Sequence, residues 1–148
     1  MPSTHTCLHF HVTFSTKERA RLIASDWRGA LHAYLGGCIR GLKAVPLEIG
    51  GVDDHVHLLA GLRPTACIAD LVRELKKAST KWIRSETPVK RFTWQEGYGA
   101  FTVSRSHVSD LVRYIRSQEE HHKKWSFQDE YIALLKRHEI EYDERFLW

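Results

Sequence analysis

Polar and apolar residues alternate from Cys7 to Phe14. Leu8, Phe10, Val12 and Phe14 share one face, and Cys7, His9, His11 and Thr13 share the other. A period of two predicts a strand with one buried face; His9 and His11 read first as polar positions on an exposed face, and second as lining the same sheet face as His55 and His57. After a polar turn over residues 15–21, Trp27, Ala30, Leu31, Tyr34, Leu35, Cys38, Ile39 and Leu42 recur at helical spacing. This predicts a helix capped by Asp26 and ending near Gly41 and Lys43. Val45, Leu47 and Ile49 alternate again and are expected to point inward. Gly50-Gly51 and Asp53-Asp54 then make a tight connection into a strand over residues 55–60, so a hairpin is predicted.

Arg63-Pro64-Thr65 breaks the pattern and opens a second helix, in which Ile68, Leu71, Val72, Leu75, Ala78, Trp82 and Ile83 form the apolar stripe. Residues 92–95 and 100–103 read as short strands around a turn at residues 96–99. Ser106 is placed as the cap of a long final helix through His122, with Val108, Leu111, Val112 and Ile115 as its buried face. A loop over residues 123–126, a helix over 127–138 and an aromatic tail complete the chain. The order of strands and helices predicts an α+β fold, ferredoxin-like or RRM-like. An antiparallel sheet carries helices on one face, with a tyrosine-bearing helix towards the C-terminus.

Composition narrows the class without fixing it. The 148 residues are 43% hydrophobic and 27% charged, as in an ordinary globular domain, and no internal repeat or linker divides residues 1–148. No apolar run is long enough to span a bilayer, and the first residues lack a signal-peptide block, so a cytoplasmic protein without a membrane partner is expected. Cys7, Cys38 and Cys67 form no CxxC pair and suggest neither a disulfide framework nor a thiolate zinc site. A net charge of +4 with a pI near 9.1 permits a nucleic-acid partner without requiring one. Arg73, Lys77, Lys81 and Arg84 form a stripe on the second helix, with Lys76 beside it. This stripe reads either as a solvated face or as an edge that meets a phosphate backbone.

The chemistry concentrates around Asp53-Asp54-His55-Val56-His57-Leu58. On a strand His55 and His57 face the same way while Val56 and Leu58 enter the core, so two imidazoles can share one metal ion. Tyr114 and Gln118 lie four residues apart and flank the apolar stripe of the late helix. Together the four offer a phenol nucleophile beside two imidazoles and an amide oxygen; the plain reading is a tyrosine packed at a helix edge and a solvated glutamine. Asp53 and Asp54 read as turn residues, or Asp54 as the group that orients an imidazole.

Phe14-Ser15-Thr16-Lys17, Asp54-His55-Val56-His57-Leu58-Leu59, Trp94-Gln95 with Gly97-Tyr98, and Phe101-Thr102-Val103 occur in order. Tyr114-Ile115 with Gln118, His121-His122, Phe127-Gln128 and Glu130-Tyr131 follow. In this array the chain resembles the single-tyrosine HUH transposases of the insertion sequence 200/605 type and their relatives associated with repetitive palindromes. The resemblance implies a single HUH transposase domain over residues 1–148. Its activity would be cleavage and rejoining of single-stranded DNA at hairpin-marked ends through a 5′-phosphotyrosine. It implies Tyr114 as the nucleophile and His55, His57 and Gln118 as ligands of Mg²⁺ or Mn²⁺; with DNA as the partner, the stripe of Arg73, Lys77, Lys81 and Arg84 offers the candidate DNA contacts. It further implies a homodimer whose active sites are completed between subunits. Neutral ligands alone would leave such a site positive. Two other readings stand beside this one. The first is a domesticated or non-catalytic hairpin DNA-binding protein of the same fold, and the second is a metal-dependent hydrolase of a small substrate. Tyr98, in a Gly-Tyr-Gly turn, is either a competing nucleophile or a packing residue.

Overall fold

The computed structural model describes residues 3–148. Four strands, β1 (His9–Ser15), β2 (Val45–Gly51), β3 (His55–Gly61) and β4 (Gly99–Val103), form one sheet in the order β2-β3-β1-β4. All three pairings are antiparallel. Helix α1 (Ser25–Gly41) connects β1 to β2, and α2 (Ile68–Glu86) connects β3 to β4. This is the predicted ferredoxin-like arrangement.

One sheet face is apolar because alternate residues of the inner strands are. Val12, Phe14, Val56 and Leu58 pack there against Leu31, Leu35 and Ile39 of α1 and Leu71, Val72, Leu75 and Ile83 of α2. Fully burying each such side chain contributes roughly 1.5–3 kcal/mol, so this layer holds the strands in register. In that register Thr13 lies opposite His57 and Ser15 opposite His55, which fixes the polar residues of both strands on the second face.

That second face is covered rather than open. Helices α3 (Val108–Arg116), α4 (Gln118–His121) and α5 (Phe127–Arg137) lie over it. Leu59, which shares the histidine face, meets Val108 and Ile115 of α3. Phe101 of β4 meets Phe127, Tyr131, Leu134 and Leu135 of α5. His11, expected on an exposed face, is therefore only 2% exposed.

Local details depart from the sequence pattern in four further places. Ala24, not Asp26, occupies the α1 N-cap, and α1 starts at Ser25 without a side-chain cap. Val45 and Leu47 point outward at 59% and 38% exposure, because β2 is an edge strand with a register shift between Pro46 and Glu48. Residues 92–95 make only an isolated bridge, Thr16 to Trp94, instead of a strand. The late helix breaks at Ser117 (φ −95°, ψ 21°), and His107, not Ser106, precedes α3. No helix among the described residues is long and apolar enough to cross a membrane.

Candidate metal and tyrosine site

The site forms where β3, α3, α4 and α5 meet. His55 and His57 are fully buried at the start of β3. Each ring is held through its outer nitrogen: His55 Nδ1 lies 2.7 Å from Asp54 Oδ1, and His57 Nδ1 lies 2.7 Å from His11 Nε2. Both Nε2 atoms then point to one centre. There His55 Nε2 is 3.1 Å from Gln118 Oε1, and His57 Nε2 is 2.7 Å from Glu130 Oε1. Fixing the far nitrogen of an imidazole is the usual way in which a metal-binding ring is oriented. His55, His57, His122 and Glu130 present ligand atoms that all lie within 4.8 Å of one another. With the Gln118 amide oxygen, this buried set of nitrogen and oxygen donors fits a divalent cation.

Tyr114 reaches the same centre from α3. Its hydroxyl donates to Glu130 Oε2 and lies 3.1 Å from His121 Nε2. The break at Ser117 does not separate Tyr114 from Gln118. Gln118, 1% exposed, begins α4 and remains directed at His55. The helix can approach closely because β2 carries glycine beneath it. A Cβ on Gly50 would stand 2.5 Å from the Ile115 carbonyl oxygen. The tyrosine and the histidines of this site belong to one chain, so the exchange of helices implied by the resemblance is not needed to assemble it.

Charges are strongly coupled here. Burial alone would raise the Glu130 carboxyl, but hydrogen bonds from His122, His55 and His57 outweigh it and hold the group ionised, well below the usual carboxylate range. An unpaired buried carboxylate would cost several kcal/mol, which explains the number of donors around this one. Burial lowers His55, yet Asp54 and Glu130 override it and carry the ring to about 9. Burial depresses His57, against the pull of Glu130, and depresses His11 further, aided by His57. Burial and the Glu130 carboxylate raise the Tyr114 phenol above its ordinary value.

The structure thus brings His55, His57, Tyr114 and Gln118 together and adds residues to which the sequence assigned no role. Glu130 is the main addition: it makes the donor set anionic rather than neutral. In sequence Glu130-Tyr131 is part of the family-like array, but nothing in its spacing gives the carboxylate a role. His11, read first as an exposed strand residue, takes the second reading: it lies on the sheet face of the histidine pair and supports His57. Asp54 orients His55, whereas the Asp53 carbonyl accepts from Ile23 N at 2.9 Å and serves the turn. Tyr98 packs against the main core cluster. Arg73, Lys77, Lys81 and Arg84 are exposed on α2, on the other side of the sheet from this site. Arg73 is paired there with Asp70 at 2.8 Å, and Arg84 Nε donates to the Phe92 carbonyl at 3.0 Å.

Comparison with known proteins gives concordant matches. Residues 4–118 match the family described as Transposase IS200 like. The ISDra2 transposase TnpA of Deinococcus radiodurans is 27% identical, the match covering 76% of this chain and 85% of that protein. A crystal structure described as a transposase from Deinococcus radiodurans R1 is similar with a TM-score of 0.66 at 26% identity. It covers 80% of this chain and 95% of its own. The fold is also that of a REP-associated tyrosine transposase bound to a REP hairpin, with a TM-score of 0.61 at 16% identity and coverage of 85% and 76%.

Proposed function

The chain belongs to the IS200-like transposase family, and from that premise we propose that it cleaves and rejoins single-stranded DNA at hairpin-marked ends through a 5′-phosphotyrosine on Tyr114. The observation that carries this reading is the placement of the Tyr114 hydroxyl against a buried centre of two imidazoles, an amide oxygen and a carboxylate. The fold likeness to a transposase bound to a hairpin supports the choice of DNA partner.

His55, His57 and Gln118, joined by Glu130 and His122, would hold Mg²⁺ or Mn²⁺. When bound, the ion would neutralise charge on the scissile phosphate and favour the phenolate. Asp54 and His11 keep the two rings aimed at the centre. The Tyr114 oxygen attacks phosphorus; an O–P bond forms as the bond from phosphorus to the DNA 3′ oxygen breaks. The phenolic proton passes to His121, whose Nε2 lies 3.1 Å from the hydroxyl, since Glu130 is held ionised as a ligand, and a proton goes to the departing 3′ oxygen. The tyrosyl phosphodiester retains the energy of the broken bond, so rejoining to another 3′-hydroxyl needs no ATP. We assign residues 1–148 to one such domain, acting in the cytoplasm as a homodimer, with Arg73, Lys77, Lys81 and Arg84 as remote contacts to flanking DNA.

The test is incubation of labelled single-stranded hairpin oligonucleotides with Mg²⁺ or Mn²⁺, followed by a denaturing gel. A slow, protease-sensitive adduct that is lost in Tyr114→Phe and with chelator is expected. Retarded DNA on a native gel without any adduct would instead establish a non-catalytic hairpin-binding protein.

A further inference from the structure

Beside the tyrosine a cavity of about 480 Å³ opens between β4, α3 and α5. That volume lies in the range of small-molecule sites, about 300–1,000 Å³. Tyr114 and Glu130 form part of its wall, so the cavity is continuous with the candidate reaction centre. Its lining is largely apolar, with Phe101, Leu111, Ala133 and Leu134 and the 44% exposed Trp125, and carries His107 and His138 among its polar groups. Arg137 of α5 lines the same cavity, and no carboxylate pairs with it among the described residues. The two acidic groups on this lining are engaged elsewhere: Asp110 is bound by Arg113, and Glu130 by the imidazoles of the candidate metal site.

An apolar and aromatic slot with one unopposed guanidinium at its edge matches one half of a nucleotide each. The slot takes the flat face of a base, and the cation takes a phosphate. Building on the strand-transfer reading above, we propose that this cavity is the subsite for the unpaired nucleotide next to the scissile phosphate. Its base is inserted between Phe101, Leu111 and Leu134, and its backbone is held by Arg137. The subsite sets the strand in line with Tyr114 and contributes sequence preference at that one position. Arg137 is a positioning residue here, and its charge also bears on Tyr114, lowering the phenol's pKa against the larger upward shift from burial and Glu130.

The experiment uses the full chain and fluorescein-labelled single-stranded hairpin oligonucleotides in which each unpaired flanking position in turn is abasic. Binding is followed by anisotropy and adduct formation by denaturing gel. Wild type is compared with Ala133→Phe, which fills the slot, and with Arg137→Gln, which removes an exposed charge without threatening the fold. One flanking position is expected to lose about 5- to 150-fold in affinity when abasic, the range for one stacked base. That penalty should vanish in Ala133→Phe, showing that base and slot are coupled. Arg137→Gln should reduce the slope of log affinity against log salt by about one phosphate contact and slow adduct formation. An adduct that forms while neither variant shows coupling or a salt-slope change overturns the subsite but leaves the strand-transfer reading standing. Coupling without any adduct keeps the base subsite and overturns strand transfer. Loss of both removes both.

Discussion

Under the proposed strand transfer, two neighbouring residues would divide ligand chemistry from proton transfer. Glu130 contacts His55, His57, His122 and Tyr114, whereas the polar contacts of the His121 ring are to Tyr114 and Glu130, with no hydrogen bond or ion pair to His55, His57 or Gln118 among the described residues. Glu130→Gln is therefore expected to weaken Mn²⁺ binding by at least about 10–100-fold, read by calorimetry, and to abolish adduct formation. His121→Ala should leave the Mn²⁺ affinity near wild type. It should slow the appearance of adduct by about 10²-fold or more, the usual contribution of a positioned proton acceptor. Equal effects of both variants on metal affinity would sink this division of roles. At this scale the sequence is readable where chemistry needs unusual residue types close together. The pair His55 and His57 stands out by its spacing, whereas Glu130, although part of the family-like array, has no residue beside it in sequence that gives its carboxylate a role.

The elements carry the precision of the site, and α3 depends most on contact with β2. Gly50→Ala would push a methyl group into the Ile115 carbonyl, so α3 must lift or β2 must bend. We expect a loss of about 1–3 kcal/mol in urea unfolding, as for other overpacked contacts, with a disproportionate loss of adduct because Tyr114 moves with the helix. Helix α1 carries a pH sensitivity of its own. His32 lines a second cavity, between α1, β2 and the Ser117 break, and its Nε2 is buried without a hydrogen-bond partner. Burial, reinforced by the Arg28 charge, lowers its pKa to about 4. The unfolded chain binds this proton more readily, so His32 contributes stability above about pH 6.5 that is lost as pH falls towards 4. The total is up to about 3 kcal/mol. Unfolding curves of His32→Gln between pH 4 and 7 should lack that portion of the pH dependence.

For the molecule as a whole, the tyrosine and the histidine pair meet within one chain. Mixing Tyr114→Phe with His57→Ala is thus expected to give no adduct beyond that of the separate variants, since neither chain then holds a complete site. Restored adduct in the mixture would mean that a dimer exchanges its tyrosine helices. The basic stripe on α2 lies across the sheet from the reaction centre. Neutralising Arg73, Lys77, Lys81 and Arg84 together is expected to weaken DNA binding at low salt and to leave Mn²⁺ affinity unchanged, since screening dominates exposed charges.

The sequence by itself determined what local periodicity determines. It established the α+β order of strands and helices, the apolar face of Val12, Phe14, Val56 and Leu58, and the shared orientation of His55 and His57. A strand repeats every two residues and a helix every 3.6, so these features follow from neighbours along the chain. Tertiary structure decided how the second sheet face is used. Whether His11 meets solvent or His57, whether Glu130 meets water or a cluster of imidazoles, and where the helix breaks after Tyr114 all depend on packing. Groups brought together there are separated by dozens of residues: His11 and His57 by 46, His57 and Glu130 by 73. No period in a sequence records such distances. Leu59 and Phe101 anchor the covering helices, and burial then turns ordinary polar residues into a site by leaving them only one another as partners.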